Sequence, residues 1–445
     1  MPNIVSNATS KAKLTFFYLF IHVLLTFKIC NFANAQEINQ ELSSLKQRID
    51  KLEQNISRQG NIKNILTDNR FNPQIGLLIN GKFYRSSTNN EDFSLAGFQS
   101  PSHLHSAKQG FSFYESELSM TADVDNLFKI DSNIIFLDDE GEDKVEIEVL
   151  NAETTSLPYG FNIKFGRFLA DIGYLNNKHL HTDNFSNRPI AFQAFLGNHY
   201  FDDGAQISWL LPVNFYSEIG LAAFSGNNFP AGGRSSSGIP VQSAFLKFGG
   251  ELPYGEIKTG LSYLKVSTGD DGRKYSHNHN GIIEELSFAG ESNLFIADFK
   301  YSFSPIMNSG KNELIIQSEY FNRHEDGNYS LFANDNVEES DNFKSSQSGF
   351  YTEVVYKFLP KWRLGYRYSK LYGSKARDVA NFDEASINSK GHNPSSNTIM
   401  VDYTNSEFSR IRIEYENQNL MPGKKDSGLT IQYIMSIGAH KIHKF

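Results

Sequence analysis

His179 and His181 form an H-x-H pair, and Asp183 and His199 follow in the same polar stretch. Neutral imidazoles at that spacing suit zinc or copper, with a carboxylate as a further ligand. A metal site usually wants three or four ligands. The pair therefore reads more simply as histidines that hydrogen-bond a loop in place. Zinc at His179 and His181 is the sole cofactor expectation. Arg188, followed by Pro189, is the best single polar candidate nearby. Farther along, Arg363 and Arg367 stand on one parity, and Arg410, Arg412, Glu414 and Glu416 on another. In an extended chain each set falls on one face, where it would line water. No G-x-S-x-G, Walker loop or H-E-x-x-H is present, so no enzyme is expected.

These residues need elements to hold them, and the last stretch says which kind. In Gly428–Phe445, Leu429, Ile431, Tyr433, Met435 and Ile437 alternate with Thr430, Gln432, Ile434, Ser436 and Gly438. A period of two is a strand with two unlike faces. An apolar strand at the end of a chain would be a bare edge unless it closed a sheet. Its natural partner lies around Ile75–Arg85. About sixteen such stretches follow one another from Pro73–Arg85 to Gly428–Ile437, each near ten residues, as tilted membrane strands are. In two of them Trp362, Leu364, Tyr366 and Tyr368 alternate with Arg363, Gly365 and Arg367, and Ile411, Ile413 and Tyr415 with the charged set.

A soluble sandwich shows the same alternation with core and solvent exchanged. The connections decide between the two. Short turns, several carrying Leu-Pro (157–158, 211–212, 252–253, 359–360), alternate with long loops rich in Asn, Ser, Gly and Asp. Proline lacks a ladder donor and belongs at such turns. The long loops are 86–109, 170–203, 226–240, 268–292, 323–349 and 373–396, with a shorter one at 418–427. Asp138–Asp143 is short where a long loop is due. The expected fold is all-β, a transmembrane antiparallel barrel over 71–445.

Mean hydropathy of -0.42 is too low for a helical membrane protein and suits half-apolar strands. The aromatic share is 13%, mostly Phe and Tyr, as interfacial girdles require. A net charge of -8 argues against nucleic acid as a partner. Residues 1–35 read as a cleaved signal peptide: Lys11 and Lys13, then apolar Leu14–Phe27, then Ala33-Asn34-Ala35. Cys30, the sole cysteine, leaves with it, so disulfides play no part. In residues 36–60, Ile38, Leu42, Leu45, Ile49, Leu52 and Ile56 make a heptad seam with complementary flanking charges. That helix either self-associates as a coil or lies on a barrel or membrane surface. Residues 61–70 are a polar linker.

The stretches Tyr174–His181, Asn187–Pro189, Phe195–Gly197, Asp202–Gly204, Trp209–Pro212 and Gly438–Phe445 carry a family resemblance. With the signal peptide, the coil and the terminal Phe445, they resemble the phosphate-selective porin O/P superfamily of Gram-negative outer membranes. More narrowly, they are similar to a porin-like branch sometimes labelled zinc-regulated outer-membrane receptors. The resemblance implies a passive outer-membrane channel in lipid, with a homotrimer as the favoured assembly, for small polar or charged solutes. It does not imply phosphate. It also implies that 170–203 folds inward and narrows the lumen. Arg188 would then either face acids across the constriction or pin the loop to the wall. The alternative is a structural, adhesive or metal-responsive barrel without general channel activity. An energised receptor is not expected: only about 36 residues separate the cleavage site from the first strand, too few for a plug domain, and such receptors have about 22 strands.

Overall fold

The computed structural model describes residues 73–438, apart from 89–94, 100–108, 114, 140–141, 233–237, 269–271, 280–281, 305–311, 334–335, 374–386 and 388. The expected signal peptide, coil and linker, and Phe445, lie outside the described residues. The strands are β1 (Gln74–Ser86), β2 (Gly110–Phe113), β3 (Ser116–Asp123), β4 (Phe128–Asp139), β5 (Glu142–Thr154), β6 (Phe161–Leu169), β7 (Phe201–Leu210), β8 (Tyr216–Phe224) and β9 (Val241–Leu252). They continue as β10 (Gly255–Ser267), β11 (Arg273–His279), β12 (Ile282–Phe303), β13 (Glu313–Ala333), β14 (Asn336–Leu359), β15 (Trp362–Tyr372), β16 (Ser395–Ser406), β17 (Ser409–Met421) and β18 (Lys424–Gly438).

All pairings are antiparallel between neighbours, and the sheet closes on itself. β1 pairs β18 from Gly76↔Gly438 to Ser86↔Gly428. Two of the eighteen strands do not add to the circumference. β2 and β3 both pair β1 and form one span broken at Glu115, whose φ is 45°. β11 sits on β12 in line with β10. The wall is therefore a closed barrel of sixteen strands, the architecture expected from the alternation.

Alternate side chains separate cleanly. On β17, Ile411, Ile413 and Tyr415 are exposed while Arg410, Arg412 and Glu414 are buried. On β18, Leu429, Ile431 and Tyr433 are exposed while Thr430, Gln432 and Ile434 are buried. An apolar outer face with a polar inner face is stable only if lipid lies outside. Aromatic pairs mark one rim, beside the short turns. Phe161 stacks on Trp209 at 5.7 Å between centroids, and Trp362 meets Tyr403 at 4.9 Å. Rings of this kind sit at the interface between hydrocarbon and water.

Two expected loops are largely strand. β13 and β14 stay paired from Glu313↔Lys357 out to Ala333↔Asn336, across the stretch 323–349. The pairing of β11 with β12 likewise occupies much of 268–292. These hairpins are polar outside, as at the exposed Asp326–Lys344 pair, and bury Leu286, Phe288, Tyr329 and Phe343 on the inner face. Their apolar side therefore faces inward, opposite to that of the lipid-facing strands, which hides them from a search for one continuous alternation. The short connection at 138–143 is a tight hairpin, paired to Asp139↔Glu142.

Candidate functional site

Residues 170–200, between β6 and β7, bond to strands around nearly the whole circuit of the wall. A single segment can reach so many sides of a closed sheet only from inside it. Its α-helix, α1 (Ile190–Leu196), starts after Pro189, which presets φ and needs no donor, and ends on Gly197 at φ 61°. All its residues but Gln193 are buried. Phe192 and Phe195 pack on Phe321, at 5.1 and 5.5 Å between centroids, within a cluster that includes Leu264, Ile296, Tyr351 and Leu371 of the inner wall. This side of the lumen is dry. The neighbourhood of β13 holds the segment's start. Glu319 accepts the backbone N–H of Tyr174 at 3.0 Å and of Leu175 at 3.1 Å, and the hydroxyl of Tyr351 at 2.7 Å. Gly173 makes room for this: a Cβ there would lie 2.3 Å from Glu319 Oε2.

The opposite side is polar. His179 Nδ1 lies 2.7 Å from Glu148 Oε2, and His181 Nδ1 lies 2.6 Å from Glu117 Oε1. The two imidazoles are parallel, 5.9 Å between centroids. Asn133 Nδ2 donates to both Glu117 and Glu148, at 3.1 and 2.8 Å. His199 Nε2 reaches Glu148 Oε1 at 3.4 Å. Burial disfavours the charged form of His179, but Glu148 and Glu117 outweigh it and raise its pKa to about 9. Glu148 and Glu117 thus both face a cationic imidazolium at His179. Among the described residues no group of three or more His, Cys, Asp or Glu is arranged to hold a metal. The geometry is that of ion pairs fastening a loop to a wall.

Arg188 does not face open water. It is buried, with Nε 2.6 Å from Asp183 and Nη2 donating to the Lys178 carbonyl at 2.7 Å, so it pins the segment to itself. The strand arginines do face inward, but they lie beneath the segment. Arg363 pairs with Asp402 and donates to Asn184 at 3.2 Å, and Arg367 donates to the Asn187 carbonyl at 2.6 Å. Arg410 and Arg412 donate to the carbonyls of His181 and Asp183, and Glu414 accepts from the N–H and hydroxyl of Ser186. Glu416 bonds Ser396 at 2.6 Å. Apart from Glu416, these side chains receive polar groups of the segment, which would otherwise be stranded away from water.

Between the segment and strands β1 and β3–β6 lies a cavity of about 230 Å³. Glu117, Asp131, Asn133, Asn151, Glu153 and Lys164 are among its lining residues, and His179 closes one side. Sequence reasoning missed this wall. The signal was there: SELSM and VEIEV place Glu117 and Glu148 among otherwise apolar alternations.

No family model matches the chain. An uncharacterized protein of Aquifex aeolicus is 28% identical over 406 residues, covering 84% of this chain and 80% of that one. The solved structure of OprB from Pseudomonas putida matches with a TM-score of 0.52 at 10% identity, over 85% of this chain and 96% of that one. The fold is that of OprB. An anion-selective porin from Comamonas acidovorans is also similar, with a TM-score of 0.49 at 9% identity, over 82% of this chain and 99% of its own.

Proposed function

We propose that the chain is a porin-like channel of a Gram-negative outer membrane, through which small polar or charged solutes diffuse passively, without turnover. One observation carries this reading. The infolded segment packs its apolar side on β10–β15 and leaves a polar cavity beside strands β3–β6. A solute path in a barrel needs such a lining, wide enough for hydrated molecules and narrow enough to sort them. The apolar outer face and the aromatic rim support insertion in lipid. The block 174–212 supports the finer placement in the porin-like branch of the phosphate-selective porin O/P superfamily, with a homotrimer as the assembly. Zinc at His179 and His181 is the weaker part of that placement, because carboxylates already hold both Nδ1 atoms.

The test is conductance of purified protein in planar bilayers. Discrete open steps that shrink when Asn133 or Ser119 is enlarged to Trp support a channel through the cavity. A silent, correctly folded barrel rejects the channel and favours a structural or adhesive role. Protein dialysed against chelator and assayed for zinc tests the metal: unchanged stability and conductance on adding zinc removes it.

A further inference from the structure

Three adjacent strands present a row of oxygens to the cavity. Thr121 of β3 stands opposite Asp131 of β4, and Asp131 stands opposite Asn151 of β5. Asn133 lies two residues along β4 on the same face, opposite Ser119. Thr121 donates its hydroxyl to Asp131 at 2.8 Å. Asn133 and Asn151 are 3% and 7% exposed, and the Oδ1 atom of each is buried and accepts no hydrogen bond. For Asn133 the orientation is fixed, because its Nδ2 already donates to two carboxylates. A buried acceptor with no donor is costly, so two of them beside one cavity call for a ligand that donates or is positive.

The charges agree. Lys129 Nζ, 3.0 Å from Glu153 and 3.6 Å from Asp131, is shared by two carboxylates, and the cationic His179 that closes one side of the cavity is held by Glu148 and Glu117. Across the cavity Lys164 is already engaged by Asp171, at 3.8 Å. The donor set is all oxygen, carboxylate plus amide carbonyl plus hydroxyl, with no imidazole or thiolate. It has too few acids to retain a divalent ion, and weak sites are what conduction requires.

We propose that this row binds the positive charge of a permeating solute, either a monovalent metal ion or the protonated amine of a small organic molecule. The proposal rests on the channel reading above. The two readings separate in one experiment, the reversal potential of the purified protein in a salt gradient, measured with potassium chloride and then with methylammonium chloride. The native channel passes the cation more readily than chloride. Asp131→Asn keeps the side chain's shape and lowers that permeability ratio about fourfold, the effect of one charge removed at roughly 5 Å in a water-like medium. Asn151→Asp adds a charge to the same row and raises the ratio. A shift with potassium alone assigns the row to metal ions, and a shift with both salts assigns it to amines as well. Channels that conduct with the native ratio in both variants overturn the proposal and leave the channel standing. If Asp131→Asn does not fold, an unchanged ratio in Asn151→Asp overturns it by itself. A folded native barrel that never conducts overturns both readings.

Discussion

Glu148 and Glu117 hold two histidines of the infolded segment, and one of those histidines has a displaced proton affinity. His179 is raised to about 9 against about 6.5 for a free imidazole. The sign follows from that direction. The ion pair contributes fully below the free value and is lost as pH rises through the folded value. Its contribution is on the order of 3 kcal/mol. Thermal unfolding in detergent should therefore show a stability that falls between about pH 7 and pH 9.5, and Glu148→Gln should flatten that slope. Across the lumen, Glu319 anchors two backbone N–H groups and Tyr351. Glu319→Ala leaves these donors without their acceptor and should cost about 1–3 kcal/mol, read as faster proteolysis near Tyr174 in the folded barrel.

At the scale of elements, the segment 170–200 behaves as the core of the barrel rather than as a loop lying on it. Phe192 and Phe195 fill space between α1 and the inner wall, and both are fully buried. Phe195→Ala should destabilise the barrel by about 3–5 kcal/mol, measured as a lower temperature for loss of the folded gel band. A loop merely draped on the wall would give no such loss. The N-terminal half of the segment would keep its ion pairs in that variant, so fluctuating conductance at constant ion preference is the matching electrical outcome. The long hairpins of β12, β13 and β14 teach a different point about elements. Their outer halves bury Leu286, Phe288, Tyr329 and Phe343 on the inner face, so the apolar side reverses beyond the lipid band while the ladder runs on from Tyr320↔Phe350 to Ala333↔Asn336.

For the whole molecule, everything depends on which face meets hydrocarbon. Ile413 is exposed on the outside of β17, and its neighbour Arg412 is buried inside. Ile413→Arg places a charge in lipid and should cost about 2–4 kcal/mol in refolding into vesicles. In a soluble sandwich the same exposed position would tolerate arginine. The sequence by itself determined this face, the strand count and the closing pair, because a period of two is local and a one-residue slip would invert every side chain. The inward parity of Arg363, Arg367, Arg410, Arg412 and Glu414 was legible for the same reason. What those residues meet was not. Arg188 turning back on Asp183, the histidines on Glu117 and Glu148, and the oxygen row of Asp131, Asn133 and Asn151 join residues far apart in the chain. Only the closed barrel fixes them, because curvature brings the strands round a common lumen and the infolded segment chooses which of their side chains keep water.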